Sequence, residues 1–364
     1  MIECNTCSLF KNEYFVPQEK FSVFQQELLA EPTGEGKQYN FKKFNIRYDC
    51  NWIPSSNLDP SLPVVLIPIR NLSNLLKFTL TNLKTYNIFS IANIAIVDDR
   101  SDEDIRAVAL EFECSYLRVE NSKGFSFSML TNIGAYVFYK LGFSTCVMWN
   151  SDLWNKDETS FKKLLERHGE TQSKISGAKL VYPPKELSYN FDGPLDTENF
   201  KKHYDKKYPH LKNGTWRGTV QFGGASWLDS SSFSSLNMSP GHFGRFKDPL
   251  TESVNCNKTV SFVTGALMVL DLEYFITRGG FNPSLSKCFQ DVDFCLRAGE
   301  VGEKVNYFGE DMSFYHDESF SFHFLKIEKF DYQSRSDHYL FEKLWNNTLH
   351  SQLPRLKQEP RSLY

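Results

Sequence analysis

The segment STCVMWNSD, residues 144–152, is the most informative stretch of the sequence. It begins with an apolar, strand-like run, and Asp152 follows directly after that run. In open α/β sheets, a carboxylate at the exit of a parallel strand lies where ligands bind, and it can hold a divalent cation against a diphosphate. The alternative is that Asp152 only caps a helix beginning near Asp157. The rest of the chain must distinguish these two interpretations.

From Pro63 onward, short β-branched runs alternate with amphipathic stretches, as in a parallel sheet covered by helices. Right-handed crossovers would bring the strand exits at Arg70, Asp98-Asp99 and Asp152 to one edge. We therefore predict an α/β fold with a Rossmann-like, mostly parallel sheet flanked by helices. The predicted strands are 64–69, 91–97, 115–119, 145–149 and 175–181, and the predicted helices are 72–86, 103–112, 127–141 and 158–167.

Three segments depart from this alternation. Residues 1–60 show weak periodicity and are predicted to be an N-terminal extension of unknown role. The main domain is predicted to span 61–320, with an irregular insertion at 183–258 that is rich in Pro, Gly, Ser and aromatic residues. Residues 321–364 are predicted to form a C-terminal tail with one amphipathic helix, 338–349.

Composition excludes several classes of protein. With 41% hydrophobic and 15% aromatic residues, the chain of 364 residues is expected to fold rather than remain disordered. A net charge of -3 and the lack of a basic block argue against nucleic-acid binding. No run approaches the roughly 18 apolar residues of a membrane span, and the first residues do not resemble a signal peptide. We expect a cytoplasmic protein, with peripheral contact at the inner face of the membrane as an alternative.

Asp98-Asp99 follows the second predicted strand, where a carboxylate can accept hydrogen bonds from a ribose or a base. The alternative is helix capping by Ser101 or Asp102. Neither the dinucleotide-binding glycine pattern nor the P-loop pattern is present. A diphosphate at this edge would therefore need positive charge from another source, and a metal ion on Asp152 would supply it.

Weaker candidates lie between and after these strands. Lys123-Gly124 precedes the third predicted helix, where Lys123 or Asn132 could contact phosphate or sugar and Gly124 would let the backbone approach. His316 could complete a metal site with Asp152, although a lone His is more often a packed or surface residue.

Gln290-Asp291-Val292-Asp293 places two carboxylates at the start of a predicted helix. The helix dipole favours the ionised form there, so an Asp could accept a proton from a hydroxyl. The alternative is that both residues only complement the charge of the helix terminus.

The order and spacing of these motifs resemble family 2 glycosyltransferases, most closely the bacterial rhamnosyltransferase-like and polysaccharide-assembly members. The resemblance covers about residues 62–320. It implies a GT-A fold, a nucleotide-diphosphate sugar donor, Mg²⁺ or Mn²⁺, and inversion at the anomeric carbon. The motifs that carry it are 68–71, 97–99, 121–124, 132–134, 150–152, 263–266, 279–281, 290–293 and His316.

The resemblance also implies roles for individual residues. Asp98 and Asp99 match the nucleoside-binding pair, and Asp291 matches the general base. Asp152 matches the metal-binding Asp, and His316 matches a His that joins the metal site in some members. The donor site would further include Pro68, Arg70, Lys123, Gly124, Asn132, Asn150, Ser151 and Gly265. Two departures stand out, because Asn150 replaces a common Asp and Gln290 replaces the Glu that usually precedes the base.

The expected function is transfer of a hexosyl or deoxyhexosyl group to a glycan or glycolipid hydroxyl. Trp216 and Trp227 in the insertion, with Gln290 and Asp293, are the candidate acceptor contacts, since aromatic faces suit sugar rings. One alternative is an inactive glycan- or nucleotide-binding module of the same fold. Another is a sugar-nucleotide pyrophosphorylase, which would usually carry a glycine-rich loop after the first strand.

Overall fold

The structure is a computed structural model. It describes residues 2–4, 19–32, 39–120, 125–184, 187, 216–228, 239–317 and 336–345, with side chains from residue 48 onward.

The described residues form seventeen strands, seven α-helices and one short 3-10 helix (Ile88–Ser90). The strands are β1 (Ile2–Cys4), β2 (Glu19–Pro32), β3 (Tyr39–Ile53), β4 (Val64–Ile69), β5 (Asn93–Asp98), β6 (Ser115–Val119), β7 (Thr145–Trp149), β8 (Leu153–Asn155), β9 (Ile175–Ala178), β10 (Leu180–Val181), β11 (Val220–Phe222), β12 (Ala225–Leu228), β13 (Ser239–His242), β14 (Asn257–Val260), β15 (Leu267–Asp271), β16 (Val305–Phe308) and β17 (Phe314–His316). The α-helices are α1 (Ser73–Thr85), α2 (Ile105–Glu111), α3 (Phe127–Lys140), α4 (Ser160–Glu170), α5 (Leu272–Thr277), α6 (Gln290–Glu300) and α7 (336–345).

The largest sheet has the strand order β1-β2-β3-β6-β5-β4-β7-β15-β9-β16-β14 among the described residues. Strands β6, β5, β4 and β7 pair in parallel at its centre. Strand β15 runs antiparallel between β7 and β9, so β9 and its parallel partner β16 point in the same direction as the central strands. The predicted fold class, an α/β fold with a mostly parallel sheet flanked by helices, is confirmed.

The central strands are continuous apolar runs in the sequence because their residues are buried. All six residues of β4 and all six of β5 are buried, as expected for strands covered on both faces. Helix α3 packs closely on this part of the sheet at Gly134, where an added Cβ would lie 2.9 Å from Val97 Cγ2 and 3.2 Å from Leu66 Cδ1. A larger residue at position 134 would therefore push α3 away from the sheet.

The three segments outside the alternating pattern also join this architecture. In the N-terminal segment, β3 pairs with β6 and extends the main sheet. The 183–258 insertion supplies the β12–β13 hairpin and β11, which lies in a second sheet of order β11-β10-β17-β8. In the C-terminal tail, α7 covers most of the predicted helix, and residues 346–349 lie outside the described residues.

None of the helices in the described part of the chain combines the length and the apolar character that a bilayer crossing requires.

Helix α4 carries a buried histidine next to the sheet. His168 is 8% exposed, and its Nδ1 lies 2.9 Å from Ser176 Oγ in β9. The pKa of His168 is lowered from its usual 6.5 to about 4, mainly by burial and in part by the charge of Lys174, while the charge of Asp271 opposes the shift. The imidazole is therefore neutral in the folded protein at pH 7.

The pKa shift of His168 predicts a loss of stability in mild acid. Between pH 6.5 and about 4 the unfolded chain binds a proton that the folded chain does not bind, so stability is complete above pH 6.5 and falls as the pH drops. The loss amounts to about 3 kcal/mol. His168→Gln removes this titration, and urea unfolding between pH 7 and 4 should show a shallower decline for the variant. Parallel curves for the two proteins would contradict the prediction.

Candidate functional site

The carboxyl ends of β5, β4 and β7 lie side by side because these strands pair in parallel. Arg70 follows β4, Asp98 ends β5 and is followed by Asp99, and Asn150-Ser151-Asp152 follows β7. The predicted convergence of these strand exits on one edge is therefore observed. Strand β15 runs antiparallel to β7, so its amino end, after Gly265-Ala266, lies at the same edge.

Asp98 is completely buried, and each of its carboxylate oxygens accepts two hydrogen bonds. Oδ1 accepts from the Ser101 amide (2.9 Å) and from Ser101 Oγ (2.5 Å). Oδ2 accepts from the Tyr116 hydroxyl (2.6 Å) and from the Arg118 guanidinium (2.8 Å). The burial of this charge is compensated by an ion pair and three neutral donors, as a buried carboxylate requires. Asp98 thus holds β5, β6 and the following loop together.

The loops after β4 and β5 are joined to each other. Ser101 Oγ accepts from the Asn71 amide (2.7 Å), and Asn71 Oδ1 accepts from the Asp102 amide (2.8 Å). Asp99 is fully buried, and its Oδ2 lies 3.5 Å from Arg70 Nη1, whose side chain is 27% exposed. The guanidinium of Arg70 thus stands at the edge of the sheet with a buried carboxylate behind it.

The structure does not show the two alternatives in which Asp152 caps one helix and Ser101 or Asp102 caps another. Asp157 lies two residues before Thr159, the N-cap of α4, and its Oδ1 accepts from the Thr159 amide (2.9 Å) and from the Ser160 amide (2.8 Å). Asp104 caps α2 by accepting from the Ala107 amide (2.9 Å). Asp152, Ser101 and Asp102 are therefore not needed as helix caps.

Asp152 and His316 form a buried pair, 3% and 4% exposed. Strand β17 pairs with β8 so that His316 lies opposite Leu153, which places its Nε2 3.3 Å from Asp152 Oδ1. Asn150 Nδ2 lies 3.4 Å from the same ring nitrogen. A carboxylate oxygen suits Mn²⁺ or Mg²⁺, whereas the imidazole nitrogen favours the transition metal Mn²⁺ over Mg²⁺, which prefers oxygen ligands. In the described residues, no cluster of three or more His, Cys, Asp or Glu side chains is arranged to hold a metal ion.

A short turn before β15 connects this pair to Asp291. The amide of Asn150 donates to the Ala266 carbonyl (3.0 Å), and the neighbouring Gly265 amide donates to Asp291 Oδ2 (2.7 Å). Asp291 Oδ1 accepts from the Val292 amide (2.8 Å). Burial raises the pKa of Asp291 above its usual value, and the amides of Gly265 and Val292 oppose that rise.

Asp291 lines a pocket of about 170 Å³. The β12–β13 hairpin forms one wall with His242, and the loop before α6 forms another. His242 Nδ1 lies 3.1 Å from both the backbone carbonyl and the side-chain Nε2 of Gln221, so Gln221 holds the ring in place in either tautomer. Gln290 is 6% exposed, and its buried Oε1 has no hydrogen-bond partner among the described residues. The pocket is lined by Pro240, Gly241, His242, Phe262, Thr264, Lys287, Cys288, Phe289, Gln290, Asp291 and Val292.

No family model matches this chain, and no curated protein matches it. Among solved structures it is similar to GalNAc-T7 with UDP, GalNAc and Mn²⁺, at 12% identity and a TM-score of 0.47 over 70% of this chain and 43% of that chain. It is also similar to the mannosyltransferase PcManGT from Pyrobaculum calidifontis in complex with GDP-Man and Mn²⁺, at 10% identity and a TM-score of 0.42 over 73% of this chain and 62% of that one.

The chain thus spans less than two thirds of the length of either similar structure. Because both TM-scores lie below 0.5, the assignment of a function depends on the residues of this chain itself.

Several residues expected at the site have packing roles instead. Asn132 is fully buried and holds the backbone of Phe281, donating to its carbonyl (2.8 Å) and accepting from its amide (2.8 Å). Asp293 accepts from Arg297 Nε (3.0 Å) and from the Trp345 indole (3.0 Å). Through these hydrogen bonds, the side chains of Asn132 and Asp293 connect separate elements of the fold.

The two insertion tryptophans do not offer open ring faces to a sugar. Trp216 is 6% exposed and packs edge-on against Tyr182 at 4.9 Å. Trp227 is 2% exposed, packs against Phe262, and donates to Ser261 Oγ (2.9 Å). The aromatic surface of both side chains is thus used in packing against other residues of the chain.

Four further residues were expected at the donor site. Pro68 is buried within β4, and Ser151 is 8% exposed with its carbonyl accepting from Thr79 Oγ1 (2.6 Å). Lys123 and Gly124 lie outside the described residues.

The pocket also includes Lys287 and Cys288, which were not predicted from the sequence. Their proximity in sequence to Gln290-Asp291 was the available signal, but a lone Lys and a lone Cys carry no pattern of their own.

The contacts of Asp98 predict a stability defect. Asp98→Asn removes the negative charge that pairs with Arg118 in a buried setting, and we expect a loss of about 3 kcal/mol in the free energy of unfolding. Urea denaturation measures this loss. Asp102→Asn changes an exposed carboxylate in the same loop and should cost far less. Equal effects of the two substitutions would contradict the packing role of Asp98.

Proposed function

We propose that this chain is a metal-dependent, inverting glycosyltransferase with a GT-A fold, related to family 2. It would move a hexosyl or deoxyhexosyl group from a nucleotide-diphosphate sugar to a hydroxyl of a glycan or glycolipid, in polysaccharide assembly. One observation carries this proposal. The Gly265-Ala266 turn ties the Asp152 segment, with its paired His316, to the carboxylate of Asp291.

The donor would bind at the carboxyl edge of β5, β4 and β7. Asp152 and His316 would hold Mn²⁺ or Mg²⁺, and oxygens of the donor diphosphate and water would fill the remaining positions, as is usual for ions held by few protein ligands. When bound, the ion neutralises charge that develops on the leaving nucleoside diphosphate. Arg70, partly exposed at the same edge, adds a second positive charge toward the phosphates.

Asp291 would be the general base that takes the proton from the acceptor hydroxyl. The Gly265 and Val292 amides fix the two oxygens of its carboxylate, so the side chain is oriented before the substrate arrives. Burial keeps its pKa raised, which makes the carboxylate a stronger base than an exposed Asp.

The acceptor would occupy the pocket beside Asp291. Its volume, about 170 Å³, is below the roughly 300–1,000 Å³ typical of pockets for drug-sized ligands, and it suits one sugar ring. The buried Oε1 of Gln290 is an acceptor without a hydrogen-bond partner among the described residues, so a sugar hydroxyl would be a suitable donor to it. His242 lines the opposite wall of the pocket. The acceptor contacts thus involve these side chains rather than the two buried tryptophans.

A single displacement on the sugar, with the acceptor entering opposite the leaving diphosphate, inverts the anomeric carbon and needs no covalent intermediate. The pyrophosphorylase alternative is disfavoured by the loop after β4, where only residues 70–72 precede α1 and none of them is glycine.

The base assignment predicts the effect of Asp291→Asn. We expect sugar transfer to fall by about 10²–10⁴-fold while donor affinity is unchanged, because the amide cannot take a proton. Transfer assays with UDP- and GDP-linked hexoses measure the rate, and isothermal titration measures donor binding. Asp311→Asn is a matched control, since Asp311 is exposed and has a left-handed backbone (φ 52°) that Asn also tolerates.

The assignment of Asp291 as the general base also predicts how the transfer activity depends on pH. Transfer requires the ionised carboxylate, so activity should fall as the pH drops through the raised pKa of Asp291, above the usual 3.8. Ordinary turnover by Asp291→Asn would show that another group is the base. A wild-type protein that binds donors and neither transfers nor hydrolyses them would indicate an inactive binding module.

The metal assignment predicts a change in thermal stabilisation. Mn²⁺ together with UDP or GDP should raise the melting temperature of the wild-type protein more than either ligand alone, because a ligand that binds the folded state stabilises it. Asp152→Asn and His316→Gln should each lose the metal-dependent part of this increase, while Asp311→Asn keeps it. Full metal-dependent stabilisation in both variants would refute the assignment.

A further inference from the structure

The loop formed by residues 285–289 carries one wall of the pocket and leads directly into Gln290 and Asp291. Lys287, Cys288 and Phe289 all line the pocket. Phe289 has a left-handed backbone (φ 64°), which costs energy for a bulky residue and persists only where its surroundings hold it. The position of Asp291 therefore depends on what anchors this loop.

One side of the loop is attached to the start of α3. The Phe127 amide donates to the Ser286 carbonyl (2.8 Å), and Ser128 Oγ donates to the Leu285 carbonyl. These bonds fix the first half of the loop to the helix that packs on the central sheet. They leave the second half, next to Phe289, to be held from elsewhere.

The second half is held by α7 through a single carboxylate oxygen. Asp337 Oδ2 accepts from the Lys287 amide (2.8 Å) and from the Cys288 amide (3.0 Å). Asp337 is 3% exposed. Burial raises its pKa, and the loop amides and the charge of Lys287 oppose the rise. A charged acceptor on two backbone amides is stronger than a neutral one.

Three further contacts dock α7 on the start of α6. The Trp345 indole donates to Asp293 Oδ1 (3.0 Å), one turn of α7 after Phe341. The Phe289 ring stacks on Phe341 with centroids 5.0 Å apart, and it meets His338 edge-on at 5.2 Å. The strained residue and the helix that follows it are thus covered by the same face of α7.

We propose that Asp337 is a positioning residue for Asp291, and that α7 anchors the 285–289 loop so that the base and the pocket wall keep their places. The proposal rests on the proposed function. Asp337 does not need to touch the substrate, because a shift of the loop would move Gln290 and Asp291 with it. A displacement of about 1 Å at a reacting group can cost about a hundredfold in rate.

The experiment compares Asp337→Ala with Asp337→Asn in the full-length chain. Ala removes the acceptor for both loop amides, whereas the Asn carbonyl can still accept from them. Leu344→Ala is the matched control, since Leu344 lies on α7 and is 37% exposed. Trp345→Phe, which keeps a ring and loses the indole donor, tests the docking of α7 by a second route.

Two measurements are made on each variant. The first is the rate at which the Cys288 thiol is alkylated in the absence of substrate, resolved by peptide mass spectrometry. The second is the steady-state kinetics of transfer across pH. For Asp337→Ala we expect faster alkylation, a kcat reduced about tenfold to a hundredfold with donor KM unchanged, and an acid limb moved to lower pH. The limb moves down because water reaching Asp291 relieves the burial that raises its pKa.

Asp337→Asn should restore most of the wild-type behaviour, and Trp345→Phe should shift both measurements in the direction of Asp337→Ala. An unchanged alkylation rate or an unchanged kcat in Asp337→Ala overturns the positioning role. If Asp337→Ala does not fold, the same criteria apply to Trp345→Phe. If the wild-type protein transfers no sugar from any donor, the proposed function fails, and the alkylation rates alone decide whether Asp337 anchors the loop.

Discussion

The hydrogen bond from the Gly265 amide to the Asp291 carboxylate is the constraint on which the rest of the site depends. It exists because β15 pairs antiparallel with β7, so that the turn before β15 returns to the edge where β7 ends. An added Cβ at Gly265 would lie 3.3 Å from Asp291 Cβ, which shows how closely the turn and α6 approach. A backbone amide cannot rotate away as a side chain can, and it therefore fixes the carboxylate more firmly.

The carboxylates of Asp98 and Asp291 have different surroundings. On the β5 side, Asp98 is neutralised by Arg118 and saturated with donors, which makes it part of the framework. At Asp291 the carboxylate has backbone amides as its hydrogen-bond donors and, within the described part of the chain, no ion pair with a cation. An acid with a raised pKa and an accessible pocket is suited to proton transfer, whereas a salt-bridged acid is suited to holding strands together.

The fold was largely readable from the sequence because hydrophobic periodicity reports burial directly. The predicted strands at 64–69, 115–119 and 145–149 have the bounds observed for β4, β6 and β7, and the helix predicted at 127–141 differs from α3 by one residue. The strand predicted at 175–181 is interrupted at Lys179, whose Nζ donates to Pro249 and Asn255. The pairing of β3 with β6 could not be predicted, because it joins distant segments with weak patterns.

The sequence alone was enough to predict the alternating α/β architecture and the carboxylates at the strand exits, because hydrophobic periodicity marks the elements and right-handed crossovers bring the strand exits to one edge. Only the tertiary structure decided which polar residues are available to a ligand. Asn132 and Trp227 match functional expectations in sequence, yet their hydrogen-bonding groups are used in the interior. Asp337 belongs to no motif, yet α7 brings it to the loop before Asp291. The reason is that a side chain's partners come from segments far away in the chain, and packing alone brings those segments together.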